Sequence, residues 1–255
     1  MFRNALTKTP HDIVILSSVR TPITRAFKGG FKDSYPEELL IPALQSAIQR
    51  AGIPFSAVND VLIGNVLAEL GFAKTGRTAL NAAGFPNSTT FHTVNRQCSS
   101  SLQAITHLAH AIAVGQIGVG LAGGAESMSR NYNPSRGIPR DVSPLVLGSG
   151  VKDALDCLVP MLKTSENVAE RYGVGRAEQD EFAAGSQRKA AEAQAGGRFK
   201  EEIVPVNARR VDAETGKETF EVVDRDDGVR AGVTLEKLAK LQPVLEGGSS
   251  TAGNS

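Results

Sequence analysis

Residues 91–110, "FHTVNRQCSSSLQAITHLAH", decide how this chain is read. The first five alternate in character, as a strand does. From Ser99 onward Leu102, Ile105, Ala109 and Ile112 recur at spacings of three and four, the period of a helix with one apolar face. The handover falls at Cys98. A strand-to-helix corner exposes a side chain at the sheet edge. It also aims the first unpaired helix N–H groups and the positive dipole end toward that side chain. Both effects favour thiolate over thiol, and the N–H of such a residue can stabilise an oxyanion on a carbonyl under attack. Cys98 is therefore a candidate nucleophile for acyl transfer. A packed, inert thiol stays open beside that reading, because free cysteines are among the most buried residue types.

Upstream of this corner, residues 13–16, "IVIL", read as a buried strand entering the loop "SSVRTPI". Ser34 is a candidate cap for a helix with Leu39, Leu40, Ala43, Leu44, Ala47, Ile48 and Ala51 on one face. Gly52 stops that helix, and Pro42 is expected to kink its first turn or delay its start. "DVLIGNVL" (60–67) reads as a strand, "AKTGRTALNAAG" (73–84) as a helix and "IGVGLAGGAES" (117–127) as a fully buried strand. Strands and helices thus alternate, which predicts an α/β domain over 12–125 with a mixed, largely parallel sheet.

After Glu126 the texture changes. An irregular Pro-, Gly-, Ser- and Asn-rich stretch leads to helical patterns at 164–173 and 176–197 and a polar hairpin pattern at 201–228. Residues 126–248 are read as a smaller α+β insertion, and 249–255 as a segment returning to the sheet domain.

The totals exclude several classes. Lys plus Arg is 28 against 27 Asp plus Glu, so nothing in the charge balance favours nucleic acid or a membrane surface. No apolar run reaches the roughly 18 residues of a membrane span. The stretch 105–125 is broken by His107, His110, Gln116 and several glycines. Cys98 and Cys157 form neither a disulfide framework nor a metal quartet, and Cys157 is read as a packed thiol. The first twelve residues, "MFRNALTKTPHD", are faintly presequence-like but too short and weak to count as a sorting signal.

A nucleophile needs a base, and none of the four histidines suits Cys98 by spacing. His107 and His110 lie about 13 to 18 Å along the same helix. His92 is back along the strand, and His11 is in the terminal segment. Two motifs also fail on context: "GVGLAG" (118–123) lies inside a strand pattern with no helix after it, and "ETGKET" (214–219) lacks P-loop spacing.

The stretch "VNRQCSSSLQAITHLAHAIAVGQIGVGLAGGAESMS" nevertheless resembles the acyl-enzyme cysteine region of the thiolases, in particular the degradative 3-ketoacyl-CoA thiolases of peroxisomes. "VRTPI", "FKGGFKD", "IGNVL", "CLVPM", "TSENVAERYGV", "QDEFAAGSQRKAA", "EEIVPV", "TLEKLAKLQPVL" and "TAGN" agree in the same order along the chain. The resemblance implies CoA-dependent acyl transfer, with Cys98 attacking the 3-keto carbonyl and a second CoA taking up the acyl group. It places the CoA in the insertion, Met161 on the pantetheine channel and Arg230 at the adenosine-phosphate end. It implies no cofactor besides CoA as substrate, no metal, a homodimer formed through strands near the nucleophile helix, and a peroxisomal location, with mitochondrial or cytoplasmic as alternatives.

Family members continue well beyond "TAGN", into a second α/β half that supplies the activating histidine and an acid/base cysteine. The expectation is that this chain covers the first three-fifths only and is inactive alone. The competing readings are acetyl-CoA acetyltransferase in the condensing direction and a non-catalytic remnant that binds CoA or a thiolase partner. Departures from the family occur at Ser101 (usually Gly), at Leu162 and Lys163 (in place of "GI" in "PMGIT") and at Leu245 (usually aromatic).

Overall fold

A computed structural model describes residues 8–9, 11–132 and 141–255. Residues 1–7 and 10 of the presequence-like stretch 1–12, and part of the irregular stretch after Glu126 (133–140), lie outside the described residues. In chain order the elements are α1 (Pro36–Ala51), β1 (Asp60–Gly64), α2 (Ala73–Ala82), β2 (Thr90–Val94), α3 (Ser100–Ala113), β3 (Gly120–Gly124) and α4 (Met128–Asn131). There follow α5 (Pro144–Leu147), α6 (Lys152–Asp156), α7 (Met161–Tyr172), α8 (Arg176–Ala195), β4 (Val206–Val211), β5 (Glu218–Val223) and α9 (Leu235–Ala239). They fall into two compact units, Met1–Tyr132 with Glu201–Asp227, and Asn133–Lys200 with Gly228–Ser255.

The first unit is built on a parallel sheet in the order β2-β1-β3. Central β1 is buried on both faces, so it reads as the apolar run "VLI" rather than as an alternation. Val61 and Ile63 pack with Leu40, Leu44 and Ile48 of α1 and Ala79 and Leu80 of α2. Leu62 turns the other way, onto Ala104 and Leu108 of α3. Three layers result, the α/β architecture expected from the alternation.

Three local expectations are corrected. Residues 13–16 form no strand; their apolar side chains are exposed (Ile15 is 80% exposed), and among the described residues no strand edge is hydrogen-bonded to them. The cap of α1 is Tyr35, whose N–H donates to Glu38 Oε2 at 2.9 Å. Ser34 is instead buried, and α1 begins at Pro36 and runs unbroken through Pro42 to its left-handed stop at Gly52. On α3 the buried stripe is Ser100, Ala104 and Leu108, whereas Leu102 (65%) and Ile105 (46%) are exposed. The helix is apolar on two sides, and its periodicity alone did not say which side meets the sheet.

The antiparallel pair β4–β5, which the sequence pattern counted with 126–248, packs in the first unit, where Val206, Ala208 and Val223 enclose Phe31. Arg20 anchors it. Its backbone bridges to Ile203, its Nε reaches Glu202 at 2.7 Å, and its two terminal nitrogens grip Asp226 at 2.7 and 2.9 Å. Asp226 also accepts the Ile23 N–H, and Asp227 accepts those of Arg25 and Gly30.

The second unit is held differently. Among the described residues its one buried apolar side chain is Leu238, while Asp180, Ser250 and Thr251 are buried polar groups. Glu166 of α7 accepts the N–H groups of Ser249 (2.9 Å) and Ser250 (2.7 Å). Asp180 of α8 takes Arg176 and the Asn254 amide, both at 2.8 Å. Residues 249–255, expected to return to the sheet domain, are thus tied to α7 and α8.

Burial works against the charge of Asp226, but the Arg20 guanidinium and the Ile23 N–H outweigh it and hold its pKa below the ordinary aspartate range. A carboxyl depressed on folding stabilises the fold fully above its unfolded pKa, and the contribution is lost as pH falls through the lower folded value. Asp226→Asn should therefore cost about 1–3 kcal/mol at pH 7, with the gap narrowing below about pH 4. Denaturant titrations at neutral and acidic pH measure this; an equal gap at both would refute the ion pair's role.

Candidate functional site

The nucleophile candidate sits in the five residues between β2 and α3, and side chains fix the path of this turn. Asn95 Oδ1 accepts the Gln97 N–H at 3.0 Å, an Asx turn. Ser100 Oγ accepts the Arg96 N–H at 2.8 Å and donates to the Gln97 carbonyl at 2.6 Å. The Arg96 guanidinium reaches the side chain of Gln103 in the first turn of α3. Gln97 itself lies in the left-handed region, at φ +51°. Cys98 follows and is exposed, so the packed-thiol alternative is set aside for it.

Beneath the turn, α3 rests directly on the sheet. A Cβ on Gly64 would come within 2.6 Å of the Ser100 and Ser101 backbone, and one on Gly124 within 2.0 Å of Ser101 Oγ. Gly64 and Gly124 are register partners at the ends of β1 and β3. They form a side-chain-free floor that brings the helix entrance onto the sheet's carboxyl edge. Ser101, where the family pattern has Gly, is accommodated because Gly124 lies under it. The sequence reading missed Ser100, Gln97 and this floor. The glycines ending "VLIG" and "LAGG" carried the signal, since glycine at the end of an apolar strand marks a close backbone approach.

No histidine is hydrogen-bonded to Cys98. His92 pairs with Asp60 at 3.4 Å, and His107 and His110 are exposed along α3. The first two N–H groups after Cys98 are also occupied: Ser99 donates to Arg96 O at 3.2 Å and Ser100 to Gln97 O at 3.1 Å.

The two residues expected to meet CoA lie in the second unit. Met161 opens α7 and is 74% exposed. Arg230 is exposed, with its backbone N–H held at 2.8 Å by Gln187 Oε1 of α8; its guanidinium makes no ion pair among the described residues. Leu162 is half-buried and Lys163 exposed. Cys157 corrects an expectation: it is exposed rather than packed, because it ends α6, a five-residue helix with no buried residue.

The site is thus an exposed cysteine at a sheet–helix corner, set on a parallel α/β core. The family model described as "Thiolase, N-terminal domain" matches residues 13–255, and the chain belongs to the thiolase family. It is 46% identical over 246 residues to the peroxisomal 3-ketoacyl-CoA thiolase 2 of Arabidopsis thaliana, covering 96% of this chain and 52% of that protein. It is 45% identical to the peroxisomal 3-ketoacyl-CoA thiolase A of Rattus norvegicus, again over 96% of this chain and 55% of the relative. Among solved structures, the dimeric peroxisomal thiolase of Saccharomyces cerevisiae superposes with a TM-score of 0.85 at 38% identity, over 98% of this chain and 62% of that one. The acetyl-CoA acetyltransferase of Bacillus anthracis gives 0.78 at 37% identity, over 95% and 61%. The chain spans roughly half to three-fifths of the length of these proteins.

Gly64→Ala should destabilise the first unit by about 1–3 kcal/mol through overpacking against the α3 backbone. Chemical denaturation checks this; a neutral substitution would mean that α3 can lift off the sheet without loss.

Proposed function

We propose that Cys98 carries the acyl group in a thiolase reaction on 3-ketoacyl-CoA. The observation behind this is the exposure of that one thiol at the β2–α3 corner of a thiolase-family chain. Its sulfur bonds to the 3-keto carbon, and the bond between carbons 2 and 3 breaks. The electron pair leaves on acetyl-CoA, which takes up a proton. A second CoA thiol then attacks the acyl-cysteine thioester, and the Cys98 thiol is released. The Cys98 N–H is the oxyanion donor we assign. The proton acceptor comes from outside this chain, a reading supported by the positions of the four histidines.

Met161 lines the pantetheine path and Arg230 meets the phosphate-bearing end, where a planar cation without an ion-pair partner among the described residues suits an anion. CoA acts as substrate, and the reaction needs no other cofactor or metal. The assembly is a homodimer, in keeping with the dimeric yeast structure it resembles, and the location peroxisomal, in keeping with the relatives' names. The condensing direction is the reverse of the same steps, and its support is the likeness to the Bacillus acetyltransferase. Among the described residues no helix is long and apolar enough to cross a membrane.

At about pH 9, above the ordinary thiol pKa so that no protein base is needed, the chain incubated with acetoacetyl-CoA should acquire an acetyl adduct on Cys98 by intact and peptide mass spectrometry, lost in Cys98→Ala, with no sustained thiolysis. Turnover above the Cys98→Ala control would overturn the assignment of the base to residues outside these 255, and an adduct-free Cys98 at that alkaline pH would overturn the nucleophile. Arg230→Ala should weaken CoA binding about tenfold, the loss of one charge-assisted contact, and calorimetry reads that directly.

A further inference from the structure

We infer that Ser100 is the positioning residue of the nucleophile turn, acting by holding Gln97 in its left-handed conformation. Gln97 precedes Cys98, and its φ of +51° is one that side-chain-bearing residues avoid. The direction in which the chain presents Cys98 depends on that one dihedral. Two hydrogen bonds from a single hydroxyl span the residue: Ser100 Oγ takes the Arg96 N–H on one side and gives its proton to the Gln97 carbonyl on the other.

Ser100 is 4% exposed, so water does not compete for either bond. Its Cβ lies over the place where a side chain at Gly64 would begin, 2.8 Å away, so the strap is pinned between helix and sheet. Without the hydroxyl the Arg96 N–H loses its partner, and residue 97 is free to relax toward negative φ and carry Cys98 with it. The geometric claim stands on the turn alone. Its bearing on acyl transfer rests on the reading of Cys98 as the nucleophile.

A double-mutant cycle on the full 255-residue chain tests it, read as the rate of Cys98 alkylation by iodoacetamide relative to Cys157, the internal reference on the same molecule. Ser100→Ala should lower that ratio at least about threefold. In a Gln97→Gly background, where left-handed φ is free of strain, the same substitution should change it less than about 1.5-fold. Gln97→Val, at an exposed position and with a β-branched side chain that resists positive φ, should reproduce the loss even if Ser100→Ala fails to fold. Equal effects of Ser100→Ala in both backgrounds, or an unchanged ratio in Gln97→Val, would overturn the inference. Alkylation involves no CoA, so a failure of the acyl-transfer reading shows separately, as a missing acetyl adduct with the cycle intact.

Discussion

The contact between the backbone of α3 and the ends of β1 and β3 is the constraint from which the site follows. A helix normally stands off a sheet by the thickness of its side chains. Here its first turn lies on Gly64 and Gly124, with no room for a Cβ between. Close approach shortens the connection from β2, so five residues must reverse direction and enter a helix. They manage it with one left-handed residue and two side-chain straps, from Asn95 and Ser100. A sharp turn thrusts the residue at its apex outward, and the apex is Cys98. The thiol's exposure is thus a consequence of glycines more than 25 residues away on other strands.

The two units solve the stability problem by different physics. The first has a three-layer aliphatic core, and its excursion to 201–227 is docked by carboxylates that collect backbone N–H groups: Asp226 and Asp227 for residues 23–30. The second has little buried hydrocarbon. Its terminal segment is organised by Glu166, which gathers two N–H groups and the Ser249 hydroxyl, and by Asp180. The backbone donors of Ser250 and Ser249 hold the Glu166 pKa below its usual range, so this staple stays charged at neutral pH. Directional polar bonds fix a loop's path with little area burial, at the expense of cooperativity.

Much of this was legible in the sequence, and the rest was hidden for identifiable reasons. The alternation of strands and helices, the Gly52 stop and the corner at Cys98 came from local pattern, which periodicity reports well. The docking of β4–β5 beside Arg20 did not, because it depends on pairings across some 180 residues of sequence. The segment 13–16 has strand composition but no hydrogen-bonded strand beside it among the described residues, and composition cannot supply one. Ser34 had the chemistry of a cap, yet the backbone gave that place to Tyr35 beside Pro36, whose fixed φ suits a helix start. Cys157 was misjudged because burial statistics describe residue types, whereas its exposure follows from a short helix with nothing packed over it.

The apolar face of α3 that carries Leu102 and Ile105 bears on the exposure of Cys98. A helix packed on a sheet through a single face has a polar back. This one does not: Ala104 and Leu108 face the sheet while Leu102 and Ile105 face away. A sequence apolar on two sides is written for two contacts, and the sheet satisfies one. Leu102 and Ile105 also lie in the first two turns of α3, just past the turn that carries Cys98, so whatever meets that second face must come close to the thiol. Among the described residues no histidine is hydrogen-bonded to Cys98, and the uncovered stripe leaves the approach to the thiol open to groups outside these 255 residues. Exposure of Cys98 and exposure of this stripe are therefore one problem rather than two, because both are set by how α3 leaves the Ser100 turn.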